Sequence, residues 1–137
     1  MSYLLDTHVI SELARPHPNA LVLRWFQSVP DDALHLSVLS LGELRKGVET
    51  ALDRKRREKL RLWLEKDVRN WFQERLIPVS ASIAEEWGRL LAGLGRPAPA
   101  IDSLLAATAL HLRLRMVTRN TKDFNFPGLD IVNPWEG

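Results

Sequence analysis

A chain of 137 residues is the size of one domain and long enough to bury a continuous core. Its 45% hydrophobic and 26% charged residues fit a globular protein rather than a disordered or fibrous one. The absence of cysteine excludes a disulfide frame and a thiolate metal site, and a net charge of +2 excludes a strong polyelectrolyte. The N-terminus lacks the basic flank and apolar core of a signal peptide. No apolar run reaches bilayer length, so a cytoplasmic protein with no membrane contact is expected. The basic charge is uneven, however: eight Lys or Arg lie from Arg45 to Arg61, against Glu49, Asp53 and Glu58.

Tyr3-Leu4-Leu5 is a short apolar run stopped by Asp6-Thr7, the pattern of a buried parallel strand. Asp6 would then stand at the carboxyl end of a strand, the edge where open α/β sheets form their ligand crevices. It would serve equally as the N-cap of a helix beginning near Val9. That helix runs to about Ala14 and is broken by Pro16 to Pro18. Asn19 can cap a second helix carrying Leu21, Val22, Trp25 and Phe26, and Pro30-Asp31-Asp32 is a turn. Leu34 to Ser37 makes a brief strand, followed by a helix from Val38 to Ala51. A long amphipathic helix carries Leu60, Trp63, Leu64, Val68, Trp71 and Phe72 on one stripe. Leu76 to Val79 is a strand whose proline places it at an edge or a strand end. Ser82 and Glu85 form a capping box opening a helix through Leu94, and Gly95 to Ala100 is a loop. An alanine-rich helix begins near Asp102, Met116 to Thr118 is a strand, Arg119 to Phe126 a polar loop, and Ile131-Val132 a last strand. Strands alternating with helices imply one α/β domain over residues 1–137, its parallel sheet covered on both faces.

Four acids fall where one element gives way to another: Asp6, Glu43, Asp102 and Asp123. At the shared edge of a parallel sheet such residues can converge although distant in sequence. Grouped carboxylates repel unless a positive charge compensates them. A hard cation with oxygen ligands does so, and Mg²⁺ or Mn²⁺ suits carboxylate and water. The lack of cysteine and of a histidine pair at ligand spacing argues against zinc. Each acid also has a purely structural reading. Ser40 and Glu43 match a capping box, Asp102 suits the positive end of a helix, and Asp123 suits a turn. Spacing alone leaves both readings open.

The run Leu4-Leu-Asp-Thr-His-Val-Ile-Ser-Glu-Leu13 resembles the opening motif of PIN-domain proteins of the VapC toxin type. Ser37 to Gly47 resembles their second motif, Asp102 to Leu110 their third and Val117 to Phe124 their fourth. The closing Val132-Asn-Pro-Trp135 is similar to the FitB-like branch. The motifs occur in the family's order over nearly the whole chain. The resemblance implies a three-layer α/β/α domain with a mostly parallel central sheet of about five strands. It further implies a Mg²⁺-dependent endoribonuclease, the toxin of a toxin–antitoxin pair, cutting RNA by metal-assisted hydrolysis. By position, Asp6 and Asp102 match the principal metal ligands, Glu43 the third acid, and Asp123 a supporting role. Some relatives carry an acid where this chain has Asn120, and His8 stands where asparagine is usual.

Thr7 and Thr118 are candidates for orienting a ligand or binding phosphate, though each would also close a strand. Arg54-Lys55-Arg56-Arg57 is either a solvated helix face or a phosphate-contacting patch for RNA. The stripe of Trp63, Trp71 and Phe72 offers a surface for a dimer or an antitoxin helix. His17, His35 and His111 are isolated and read as structural. The family implies a homodimer, with DNA reached only through the antitoxin complex. The alternative is a non-catalytic PIN-fold module that binds nucleic acid or regulates, which His8 and Asn120 leave open. An aspartyl-phosphate phosphatase fits poorly, because His8 occupies the place its second aspartate needs.

Overall fold

The computed structural model describes residues 1–137. Five strands, β1 (Tyr3–Leu5), β2 (Leu34–Ser37), β3 (Leu76–Ile77), β4 (Arg115–Val117) and β5 (Ile131–Val132), form one sheet in the order β3-β2-β1-β4-β5. Every pairing is parallel. Seven helices cover it: α1 (Thr7–Glu12), α2 (Ala20–Ser28), α3 (Val38–Thr50), α4 (Arg54–Leu62), α5 (Arg69–Phe72), α6 (Ala81–Leu94) and α7 (Ala100–Leu112). None is long and apolar enough to cross a membrane.

Side-chain alternation along the strands divides the interior in two. Leu5, Leu34, Leu36 and Val117 face a core completed by α1, α3, α4 and α5. Leu4 and Met116, their neighbours in sequence, face the opposite core with Leu105, Ala106 and Ala109 of α7. The architecture is therefore α/β/α. The alanines of α7 let that helix lie close to the sheet, and α6 closes over its outer side.

Starts or caps differ from the sequence expectation at four helices, although α1 keeps Asp6 as its expected cap. α1 begins at Thr7, directly after Asp6, rather than near Val9. The N-caps of α3 and α6 are Ser37 and Ser80, whose hydroxyls accept the backbone N–H groups of Leu39 and Ile83. Both cap residues are extended, as a cap must be, whereas Ser40 and Ser82 already lie inside their helices and head no capping box. Glu43 is thereby freed from a capping role. α7 starts at Ala100, which places Asp102 in its first turn, and β4 sits one residue earlier than expected.

The long amphipathic helix is interrupted. Between α4 and α5, residues Trp63–Val68 form a π-helical segment. The reason is legible in the spacing of Leu60, Leu64, Val68 and Phe72, which recur every four residues. In an α-helix each step of four advances about 40° around the axis, so this stripe would spiral away from the core. The wider turn of a π segment rotates it back, and Leu64, Val68 and Phe72 are all buried. Arg75 then ties the end of this run to β2, donating to the carbonyls of Trp71, Asp31 and Leu34.

Of the stripe expected to dock a partner, Phe72 is fully buried core, while Trp63 and Trp71 are half-buried against it. Phe72→Ala should cost about 3–5 kcal/mol of stability. Trp71→Ala should cost clearly less, which chemical denaturation of the two variants will show.

Candidate active site

Asp6 follows β1 at the carboxyl edge of the sheet and extends the ladder by one bond, its N–H donating to the Val117 carbonyl at 2.9 Å. Asp6 is 5% exposed, and its carboxylate is held on both oxygens. One accepts the Thr7 backbone N–H and the other the Thr118 hydroxyl, each at 2.8 Å. Asp6 is thus the N-cap of α1 and a site residue at once. Thr118 is fully buried, and its oxygen accepts the Asn120 backbone N–H at 3.0 Å, which shapes the loop after β4.

Around Asp6 lies a cavity of about 400 Å³ onto which Thr7, Glu43, Asp102, Asn120 and Asp123 also open. The four acids come from the end of β1, the middle of α3, the first turn of α7 and the 3₁₀ turn Thr121–Phe124. The Thr7 hydroxyl donates to Glu43, coupling the start of α1 to α3. His8 stands exposed on the rim.

Lys46 and Thr50 line the cavity too, and neither was singled out in the sequence. Their signal is helical spacing: they follow Glu43 by three and seven residues and so share its face of α3. Lys46 is the one lysine or arginine on the cavity wall.

Charge crowding is visible in the carboxyls themselves. Burial pushes the Asp6 carboxyl up from its ordinary value, against the opposing pull of its bonds to Thr118 and Thr7. Asp102 is also raised, first by burial and then by repulsion from Asp6, Asp123 and Glu43. These four acids therefore share one electrostatic environment. No group of three acidic or imidazole side chains has metal-holding geometry. The donor set is nonetheless all oxygen apart from the rim imidazole, which matches a small hard cation that keeps several waters and takes one or two carboxylates directly.

The PIN domain model matches residues 3–127. The chain belongs to the PIN domain family. It is similar to the VapC ribonuclease Y4jK of Sinorhizobium fredii, 35% identical with 97% of each chain covered. It is likewise similar to Toxin FitB of Neisseria gonorrhoeae, at 34% identity over 96% of this chain and 97% of that one. Among solved structures, FitAcB from Neisseria gonorrhoeae matches with a TM-score of 0.91 and 33% identity, covering 98% of this chain and 99% of that chain.

In this PIN domain the four basic residues Arg54, Lys55, Arg56 and Arg57 form the exposed first turn of α4, capped by Asp53. Two of them have distinct surroundings. Arg56 lines a groove that shares Thr7, His8 and Glu43 with the carboxylate cavity. Arg57 instead donates to the Ala51 carbonyl and secures the α3–α4 turn. The remaining histidines lie apart from the acids: His35 contacts the Tyr3 carbonyl, His111 pairs with Glu86 and His17 is exposed.

The raised Asp102 carboxyl fixes a sign. A group that binds its proton more tightly when folded supports the fold at low pH, and that support is lost as pH rises from its ordinary 3.8 through the folded value. Asp102→Asn should therefore raise the thermal midpoint at neutral pH in the absence of divalent ions. The gain should fade in buffers near the ordinary carboxylate range; calorimetry at the two pH values checks it.

Proposed function

We propose that this PIN domain is a metal-dependent endoribonuclease and the toxin of a toxin–antitoxin pair. The observation that carries the reading is the convergence of Asp6, Glu43, Asp102 and Asp123 on one cavity at the carboxyl edge of a parallel sheet. The likeness to a chain named VapC ribonuclease and to one named Toxin FitB supports the substrate and the biological role. Its partners would be RNA, a cognate antitoxin and a second copy of the chain, with DNA approached only through the antitoxin complex.

Asp6 and Asp102, with Glu43, would hold Mg²⁺ or Mn²⁺, and Asp123 would support them from the outer side. Bound there, the cation would supply charge for the phosphate oxygens and lower the pKa of a water. The residues of the chain do the positioning. Asp6 is pinned by two hydrogen bonds, so its free lone pairs have a fixed direction. Thr7 holds Glu43 in place from the neighbouring helix. Lys46 offers an ammonium to the phosphodiester from the same face of α3 that carries Glu43, offsetting charge on the strand as it enters an acidic cavity. No side chain is required as a nucleophile.

Single-stranded cellular RNA should be cut in Mg²⁺ and spared in chelator. Asp6→Asn and Asp102→Asn should each lower the rate by about a hundredfold or more, a loss of about 3 kcal/mol in transition-state stabilisation. RNA binding with no cleavage under any divalent ion would instead favour the non-catalytic module.

Arg56 is the member of the basic turn expected to contact RNA. Arg56→Gln should weaken RNA binding at low salt and flatten the dependence of affinity on salt by about 0.7 in log–log slope. An equal loss at every salt concentration would remove the electrostatic role.

A further inference from the structure

Beside the carboxylate cavity lies a second hollow, of about 390 Å³, whose lining holds two arginines and one carboxylate. His8 and Asn120 line both, so the two are neighbours across a common rim. Arg15, from the turn after α1, and Arg119, from the loop after β4, flank the hollow, and Trp135 forms part of its wall. Its one carboxylate is already engaged: Glu12 is 5% exposed, accepts the Asn19 backbone N–H at 2.8 Å and pairs with Arg15 at 3.2 Å. Arg119 makes no ion pair. Its guanidinium lies 5.3 Å from the centre of the Trp135 ring. A guanidinium stacked on an aromatic face keeps its in-plane donors free, and that planar fork matches phosphate oxygens.

We propose that this hollow seats the phosphate next to the one undergoing cleavage in a single-stranded RNA, gripped by Arg119, the arginine there that is free of an ion pair. Trp135 is the positioning residue that presents the Arg119 fork. The inference rests on the nuclease reading for its placement. A strand with one phosphodiester in the carboxylate cavity must lay the next in an adjoining space, and this adjoining space is lined by guanidinium groups. The acidic cavity by itself repels a polyanion, so cationic groups at its border compensate where the strand enters or leaves. Trp135 lies beyond residues 3–127, the part that the PIN domain model matches.

The test uses the full chain and a short, labelled, single-stranded RNA of mixed sequence. Binding is followed by anisotropy in chelator across a salt series, and cleavage of the same RNA is followed in Mg²⁺. Arg119→Ala should weaken binding roughly tenfold at low salt and flatten the log–log salt slope by about 0.7. Arg119→Lys should recover the slope but only part of the affinity, since it restores charge without the fork. Trp135→Phe should bind like the parent, while Trp135→Leu should reproduce the Arg119→Ala change in slope with the thermal midpoint checked alongside. Arg89→Ala, on the exposed face of α6, serves as the control and should change neither quantity.

Unchanged affinity and slope in Arg119→Ala would overturn the phosphate seat even where wild-type cleavage is normal. A wild-type chain that never cleaves, yet binds RNA in an Arg119-dependent way, would overturn the nuclease reading and keep the seat. If Arg119→Ala spares RNA and weakens capture of the cognate antitoxin, the hollow serves a protein segment and the proposal falls.

Discussion

A carboxylate taken out of water must have its lone pairs satisfied, and the way Asp6 meets that demand organises this molecule. Its two partners belong to different elements: the first N–H of α1 and the hydroxyl that follows β4. The second bond forms only when β1 and β4 lie parallel and in register, Tyr3 beside Arg115 and Leu5 beside Val117. The register that aligns Leu4 with Met116 in one core and Leu5 with Val117 in the other thus also delivers the Thr118 hydroxyl to Asp6. Stability of the sheet and placement of the acid are one constraint.

From that fixed point the electrostatics spread outward in layers. Nearest are the other acids, close enough that Asp102 feels the remaining three. Around them stand cations on separate elements: Lys46 on α3, Arg56 at the start of α4, and, across the rim, Arg119 and the Glu12-paired Arg15. A negative floor with a positive border suits a divalent ion below a polyanion. The net charge of +2 gives no hint of this, because the segregation is spatial rather than compositional.

The π-helical segment shows how the opposite layer achieves packing. Four-residue spacing in Leu60, Leu64, Val68 and Phe72 conflicts with the α-helical period, and the chain resolves the conflict by widening one turn. The outcome is that Leu64, Val68 and Phe72 are buried in the core. Among the aromatic residues at this helical spacing, Phe72 is completely buried, whereas Trp63 and Trp71 keep part of their surface exposed.

Much of the fold was legible because it rests on local, periodic information. Apolar runs closed by polar breaks marked the parallel strands, and their alternation with helices required a sheet covered on both faces. The motif order named the family and all four acids. Cap identity escaped, because Ser37 and Ser80 act through an extended backbone at a strand or loop end, and a serine nearby in sequence matches the same pattern. Lys46 escaped for a related reason: an exposed lysine on a helix carries no mark until the cavity beside it exists. What only the tertiary structure decided is adjacency across elements: Thr118 under Asp6, Thr7 against Glu43, Arg119 upon Trp135. Hydrophobic period is written along the chain and determines the layers; side chains more than a hundred residues apart, such as Asp6 and Thr118, meet only through the parallel pairing of strands that those layers enclose.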